Sequence, residues 1–395
     1  MNLISNIFIK LKVNYLYIIL SLCLVSSSLA VIPMGLVIYS TGILIGIIYI
    51  FRKRLYFQNK VFVFFLIISY LSSIIGGLWD YRIFVFTALF IFVTPIFNSK
   101  NVFIFRLKYI LYSLSIFPVI ALVSLYCYFA GINMMSLNDG DVSWDFSALF
   151  WHSMWLGAAN GLSNIVLLWL LTKRTNKTLQ IILILWLLSS VFLSIVSGSR
   201  SALLASVIAM SYLIYLKTTD LKKLIKYILI IGSILIVSIP FYYNYAGRML
   251  AKMEYQEVEG ETSRANIFKM RILDFKDSPI IGVGFAVGRH AESGKKEIGR
   301  MESGSGWFSI VSQTGIIGLL TVLFIIYSAY IRVRRFIKKD SILQLLISIF
   351  LYLCLHSLFE GYILTSGYYL CILFWGILGL LYVYPTNIKK RFIKK

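Results

Sequence analysis

Charge is scarce in this sequence, and acidic charge most of all: 14% of the 395 residues are charged, with 16 Asp and Glu against 38 Lys and Arg. A soluble chain of this length would hold two or three domains and about 25% charged residues. Long polar stretches are lacking too, so no segment can form a Rossmann or P-loop nucleotide-binding domain. Only four cysteines are present, Cys23, Cys127, Cys354 and Cys371. Each lies inside an apolar run without CxxC or metal-ligand spacing, which excludes a disulfide framework and leaves them as small buried hydrophobes. No HExxH, Ser/His/Asp or Cys/His arrangement can be read, so neither a metal site nor a cofactor is expected.

What the chain has instead is apolar residues, at 59% of the total, and a mean hydropathy of +0.84. Apolar runs of about 20 residues recur from end to end, the length of a membrane-spanning helix. Backbone polar groups in lipid must be satisfied within the segment or in a closed barrel, and these runs are too long and continuous for barrel strands. The expected fold is therefore all-α and integral to the membrane, with about twelve transmembrane helices. The spans fall near residues 13–30, 32–51, 61–78, 82–98, 109–131, 150–171, 179–197, 201–217, 227–243, 307–331, 341–359 and 367–385. Helices one to nine thus occupy 1–243, a large loop 244–306, and helices ten to twelve with a basic tail 307–395. The first span resembles a signal peptide, with Lys10 and Lys12 ahead of an apolar stretch ending in Ser-Leu-Ala, but a second span follows at once and the pair reads as a membrane hairpin.

Charge placement tests these spans independently of hydropathy. With the N-terminus cytoplasmic, the inside segments collect 26 of the 38 basic residues and only two acids, Asp220 and Asp340, while the outside is about neutral. The positive-inside rule then puts both termini in the cytoplasm. The net charge of +22 is accordingly a topology signal, with anchoring near anionic lipid as its ordinary meaning, and no nucleic-acid partner is expected.

Two outside loops stand apart. Asn133 to Ser147 carries Asp139, Asp141 and Asp145, and its Asp-Gly-Asp resembles the DxD of metal-dependent sugar transferases, but a solvated acidic turn is the better reading. The loop 244–306 is long enough for a structured cap. Thr262 and Ser263 offer N-cap hydroxyls, and Arg264, Phe268, Ile272 and Phe275 follow at near-helical spacing until Pro279, so an amphipathic helix on the outer membrane face is expected. Arg264 and Arg271, two turns apart, project from one side of it. Gly282-Val283-Gly284-Phe285-Ala286-Val287-Gly288 lacks dinucleotide-fingerprint spacing and reads as a tight turn, with Arg289 and His290 directly after it.

Ionisable residues in or near the membrane mark candidate functional positions. Arg200, in Ser197-Gly198-Ser199-Arg200-Ser201-Ala202, has almost no loop around it. Its planar fork suits a diphosphate, or it snorkels to outer headgroups. His356 and Glu360, four residues apart at the outer end of the eleventh span, can pair on one helix face, either structurally or catalytically. His152, between Trp151 and Trp155, sits in an aromatic interface belt.

Several local patterns resemble, in order, the signature of the O-antigen ligase and O-antigen polymerase superfamily. They are Ser-Gly-Ser-Arg-Ser-Ala-Leu-Leu-Ala (197–205), Ser-Arg-Ala-Asn-Ile-Phe (263–268), Ser-Pro-Ile-Ile-Gly-Val-Gly-Phe (278–285) and Gln-Thr-Gly-Ile-Ile-Gly-Leu-Leu (313–320). The resemblance covers about residues 190–325. It implies a multi-pass glycosyltransferase of the bacterial inner membrane with a GT-C-like fold, working without metal on undecaprenyl-diphosphate-linked oligosaccharide at the outer face. It also implies that Arg200 and Arg264 bind the lipid diphosphate, and Arg271 and Arg289 are further candidate cations. Ligases usually carry a histidine eleven residues before the glycine of Glu-Thr-Gly, and counting back from Gly315 gives Gly304. That departure favours polymerase over ligase and leaves the base open.

Transfer from a lipid diphosphate needs cations where the leaving group gains charge and a base for the acceptor hydroxyl. Arginines serve the first need. Glu302, near the position of the missing histidine, and His290 are the candidates for the second. The expected function is polymerisation of lipid-linked repeat units into O-antigen or a related surface polysaccharide, with membrane lipid and a chain-length regulator as further partners. A ligase that moves glycan to lipid A core is the alternative within the superfamily. A lipid-linked oligosaccharide flippase is the alternative outside it, but it should have charges lining a path through the membrane and broken half-helices, and neither is evident.

Overall fold

The computed structural model describes residues 15–77, 79–135, 146–173, 176–218, 263–290, 297–298 and 304–392. Helices α1 (Tyr15–Ser26), α2 (Gly35–Phe51), α3 (Lys60–Gly76), α4 (Arg82–Val93), α5 (Lys100–Phe129), α6 (Ser153–Leu171), α7 (Lys177–Val196) and α8 (Arg200–Lys217) form the first part. After them come α9 (Ser263–Asp277), α10 (Gly306–Val333), α11 (Ser341–His356) and α12 (Tyr369–Phe392). Two-residue strands pair antiparallel as β1 (Tyr56–Phe57) with β2 (Phe97–Asn98), and as β3 (Val287–Gly288) with β4 (Glu297–Ile298). Every expected span has a helix at its place except 227–243, which lies outside the described residues.

Five helices, α5, α6, α7, α8 and α10, are long and apolar enough to cross a membrane, and shorter apolar helices accompany them. Their number, length and composition are those of a multi-pass membrane protein. Ile181, Ile182, Ile184, Leu185 and Leu188 of α7, with Leu36, Val37, Leu44 and Ile48 of α2, are exposed, a surface that only lipid would cover. α6 and α12 sit inside the bundle instead. Small residues let α6 come close to its neighbours: Gly157 abuts Ser199, and Gly161 abuts the Tyr352 ring.

Several helix ends follow from identifiable residues. α4 stops at Val93, short of the expected 98, because Thr94 precedes Pro95 and takes extended φ −90, ψ 158. The chain then turns into β2, and the Ser99 hydroxyl caps α5. Lys100 to Lys108, expected as a loop, is the first part of that helix. Arg106 is buried there and donates to the carbonyls of Phe92 (2.8 Å), Phe97 (2.9 Å) and Ile91 (2.9 Å). A cation thus closes the carbonyl end of α4, where the helix dipole favours it.

Basic residues gather at the end of the bundle where β1 pairs β2 and where Trp169 Nε1 donates to the Ser341 carbonyl at 2.7 Å. We call this the basic end. The other is the loop end, where α9 packs on α10 through Phe268 and Phe308, rings 5.2 Å apart.

The central feature is a break in α10. Gly315 has φ 64, ψ −169 inside the helix, a conformation essentially confined to glycine. Residues 279–286 fill the break. Ile316 and Ile317 N–H donate to the carbonyls of Pro279 (2.9 Å) and Ile280 (3.3 Å), and Val283 and Gly284 N–H donate back to those of Ser312 (2.9 Å) and Gln313 (3.3 Å). From α3, Ser72 donates to the Gln313 carbonyl and Ser73 Oγ accepts from Phe285 N–H at 3.0 Å. Gln313 Oε1 accepts from Ala286 N–H at 2.7 Å. The opened helix and the inserted segment therefore satisfy each other's backbone, as lipid requires. This corrects the expectation of unbroken helices. It also gives the glycine-rich run a role beyond a tight turn: Gly282 (φ 89) leaves no room for a Cβ, which would meet Gln313 carbonyl atoms at 2.3 and 2.4 Å, and at Gly315 it would meet the Ile280 carbonyl oxygen at 2.2 Å.

Gly315→Ala should therefore cost about 2–4 kcal/mol, from forced left-handed backbone plus overpacking, and remove most folded monomer in fluorescence-detected size exclusion. Gly367→Ala, whose nearest neighbour atom is 3.6 Å away, should leave it unchanged. Equal behaviour of the two variants would contradict the interlock.

Candidate functional site

Beyond Ala286 the chain leaves the break, passes through β3 and reaches Arg289 and His290, where α9 holds it. Asp274, fully buried, pairs through Oδ2 with Arg271 Nη1 at 2.7 Å. Its Oδ1 accepts from the backbone N–H of Arg289 (2.9 Å) and of His290 (3.0 Å). The close approach of Arg271 needs Gly288, where a Cβ would meet the guanidinium at 2.5 Å. Burial lifts the Asp274 carboxyl above its ordinary range, while Arg271 and the two N–H groups pull it back. Arg271 is only 1% exposed. Arg271, a candidate diphosphate contact from its sequence position, is engaged here by an acid one turn further along the helix, and it fixes the loop onto α9.

His290 Nε2 lies 3.0 Å from Asp277 Oδ2, with the two side chains 38% and 40% exposed. This His-Asp pair stands open to solvent on a backbone pinned by Asp274, an arrangement suited to proton transfer. Arg289 is pinned through its N–H, and its side chain is partly exposed. Arg264 lies in the first turn of α9, and its side chain falls outside the described residues, as do Glu302 and the acidic loop residues Asp139, Asp141 and Asp145. Asp274 and Asp277 were not anticipated from sequence. The signals were there, in Arg-x-x-Asp spacing on a helix and an acid just before Pro279.

Arg200 is the first residue of α8, exposed, after a three-residue turn in which Gly198 takes φ 67. Among the described residues no ion pair engages it, and no hydrogen bond joins it to the Asp274 cluster. Ser199 Oγ beside it is buried without a hydrogen-bond partner among the described residues, as are Asn160 Oδ1 and Nδ2, Ser163 Oγ and Asn164 Oδ1 on the adjoining α6. Uncompensated polar groups at that depth are costly, and they extend a polar seam inward from Arg200.

The remaining candidates have structural settings. Gly304, at the counted histidine position, takes φ 59 with its Cβ direction 2.9 Å from Ile267 Cγ2, a backbone that histidine would adopt only with strain. α11 ends at His356, so Glu360 lies beyond the helix and the two are not on one helix face. The last turn closes as Ser357 N–H bonds the Leu353 carbonyl at 3.0 Å. His356 is stacked between Tyr352 and Tyr362, at 5.4 and 5.5 Å. His152 caps α6, its Nδ1 accepting from Met154 N–H at 3.1 Å.

Residues 183–323 match the family model described as O-antigen ligase. This segment is thus similar to the O-antigen ligase and polymerase superfamily, whose members are glycosyl-transferring enzymes, and the match does not discriminate ligase from polymerase. No curated protein matches the chain. The matched segment runs from α7 through Arg200 and α9 to the break in α10, so it contains both halves of the interlock.

Asp274→Asn should leave Arg271 buried without its counter-ion and loosen the pinned backbone. Amide hydrogen exchange at Arg289 and His290 should then rise by about tenfold or more, given the ~1.5–3 kcal/mol of a charge-assisted hydrogen bond. Unchanged exchange would show that the loop is held by other means.

Proposed function

We propose that the protein is a metal-independent glycosyltransferase of the bacterial inner membrane, with both termini cytoplasmic and residues 244–306 outside. In this reading it polymerises undecaprenyl-diphosphate-linked oligosaccharide repeats into O-antigen or a related surface polysaccharide. The observation that carries the reading is Arg200: an exposed guanidinium at a helix start inside the superfamily segment, with no carboxylate paired to it among the described residues. A planar fork at the membrane boundary suits a lipid diphosphate.

The reaction forms a bond from an acceptor hydroxyl oxygen to the anomeric carbon and breaks the bond from that carbon to the diphosphate oxygen. Arg200, with Arg264 and Arg289, stabilises charge on the departing diphosphate. The acceptor proton passes to His290, oriented by Asp277, or to Glu302. Gly304 at the counted ligase-histidine position supports polymerase, while the match to an O-antigen ligase family supports a second reading, a ligase that transfers glycan to lipid A core. The flippase reading drew on broken half-helices, and the break found in α10 has its backbone groups occupied by the chain itself.

Arg200→Ala should abolish polymer at normal membrane abundance, and Arg200→Lys should restore little, because a point charge does not reproduce the bidentate fork. Undiminished polymer from Arg200→Ala would leave the residue a headgroup contact only. In cells making the polysaccharide, deletion should leave single repeat units on their acceptor. Long chains retained on undecaprenyl diphosphate would identify a ligase. For the base, His290→Ala and Glu302→Gln should be compared with Asp141→Asn, which should be near neutral; loss in one of the first two identifies the proton acceptor.

A further inference from the structure

At the basic end, α6, α8 and α11 converge on one hydroxyl. Lys217, the last residue of α8, donates to Ser341 Oγ at 3.0 Å, and Lys173, just past α6, donates to the same oxygen. Trp169 Nε1 also reaches it, at 3.0 Å. A hydroxyl oxygen has two acceptor lone pairs, so three donors oversubscribe it. The nearest acid is already engaged: Asp340 Oδ1 caps α11 through Ile342 and Leu343 N–H, and Oδ2 accepts from Tyr384 Oη at 2.9 Å. Among the described residues no carboxylate forms an ion pair with either lysine. Lys173 is held over the Trp169 ring at 4.2 Å, and its ammonium is pushed down to about 8, by burial first and by Lys217 second, against the pull of Asp340. Two ammonium groups within hydrogen-bond reach of one neutral oxygen repel each other, and their surplus N–H bonds call for an anion with several acceptor oxygens.

We propose that Lys173, Lys217 and Ser341 form a binding site for a phosphate group, supplied by the headgroup of an anionic phospholipid. Phosphate chemistry follows from the converging donors. The lipid source follows from position: exposed Leu204, Ile208 and Tyr215 line α8 up to Lys217, an apolar stripe along which acyl chains lie. Basic pockets between spanning helices suit such headgroups. The site lies at the opposite end of the bundle from Arg200 and does not depend on the proposed reaction.

The test uses the full-length protein in mild detergent, with thermal unfolding followed on adding phosphatidylglycerol, phosphatidylcholine or inorganic phosphate. Phosphatidylglycerol should raise the unfolding temperature of the wild type by several degrees and phosphatidylcholine should not. The Lys173→Gln/Lys217→Gln variant should lose the shift, with apparent affinity down at least about tenfold. The Lys173→Arg/Lys217→Arg variant should keep it. Should the double Gln variant not fold, Lys217→Gln alone makes the same comparison. An equal shift in wild type and Gln variant, or no shift in either, would overturn the site. A shift with inorganic phosphate but not phosphatidylglycerol would overturn the lipid assignment.

Discussion

A helix opened inside a membrane exposes donors and acceptors that lipid does not satisfy, each at a cost of several kcal/mol. In α10 the opening at Gly315 persists because residues 279–286 meet those groups one by one, with α3 adding Ser72 and Ser73. The inserted segment is thereby locked as firmly as the helix. α9 and the Arg289–His290 corner emerge directly from it, so the loop side of the candidate site inherits a rigid base. Arg271 and Asp274 complete the hold from the far side of β3.

The same economy of charge governs the rest of the molecule. Where an arginine is buried, something specific receives it: three carbonyls for Arg106 and a carboxylate for Arg271, while the exposed Arg332 lies over the Tyr382 ring at 3.9 Å. Arg200 and the Lys173–Lys217 pair are different, since no carboxylate pairs with them among the described residues. Buried cations with complete partners hold the fold, whereas those with donors to spare are where ligands belong.

The spans were legible in the sequence because lipid imposes one demand, continuous apolar length, and hydropathy measures it directly. Local chemistry could also be read for α9, which lies between Thr262-Ser263 and Pro279 as expected, whereas the stop that Pro95 imposes on α4 at Val93 was passed over. The interlock escaped because its halves lie about thirty residues apart, and each alone is an ordinary glycine pattern. Neither Gly282 nor Gly315 announces that its missing Cβ makes room for the other segment's backbone. The burial of Arg271 was not legible for a related reason. Two arginines seven apart share a helix face, but which of them meets an acid depends on Asp274 and on Gly288, which arrives from the next turn of chain. His290 was visible as a candidate, whereas its partner Asp277 required the folded loop.

The account stands on residues 282–286 lying within the bundle and not in a solvated loop. Cysteine labelling in intact membranes tests this most directly, with a membrane-impermeant maleimide and the four native cysteines replaced. Val283, fully buried, is compared with Lys276, which is exposed on α9. Lys276→Cys should label readily, and Val283→Cys should stay unreacted until the protein is denatured. Equal labelling of both positions would place the glycine-rich segment in water and remove the foundation of the site.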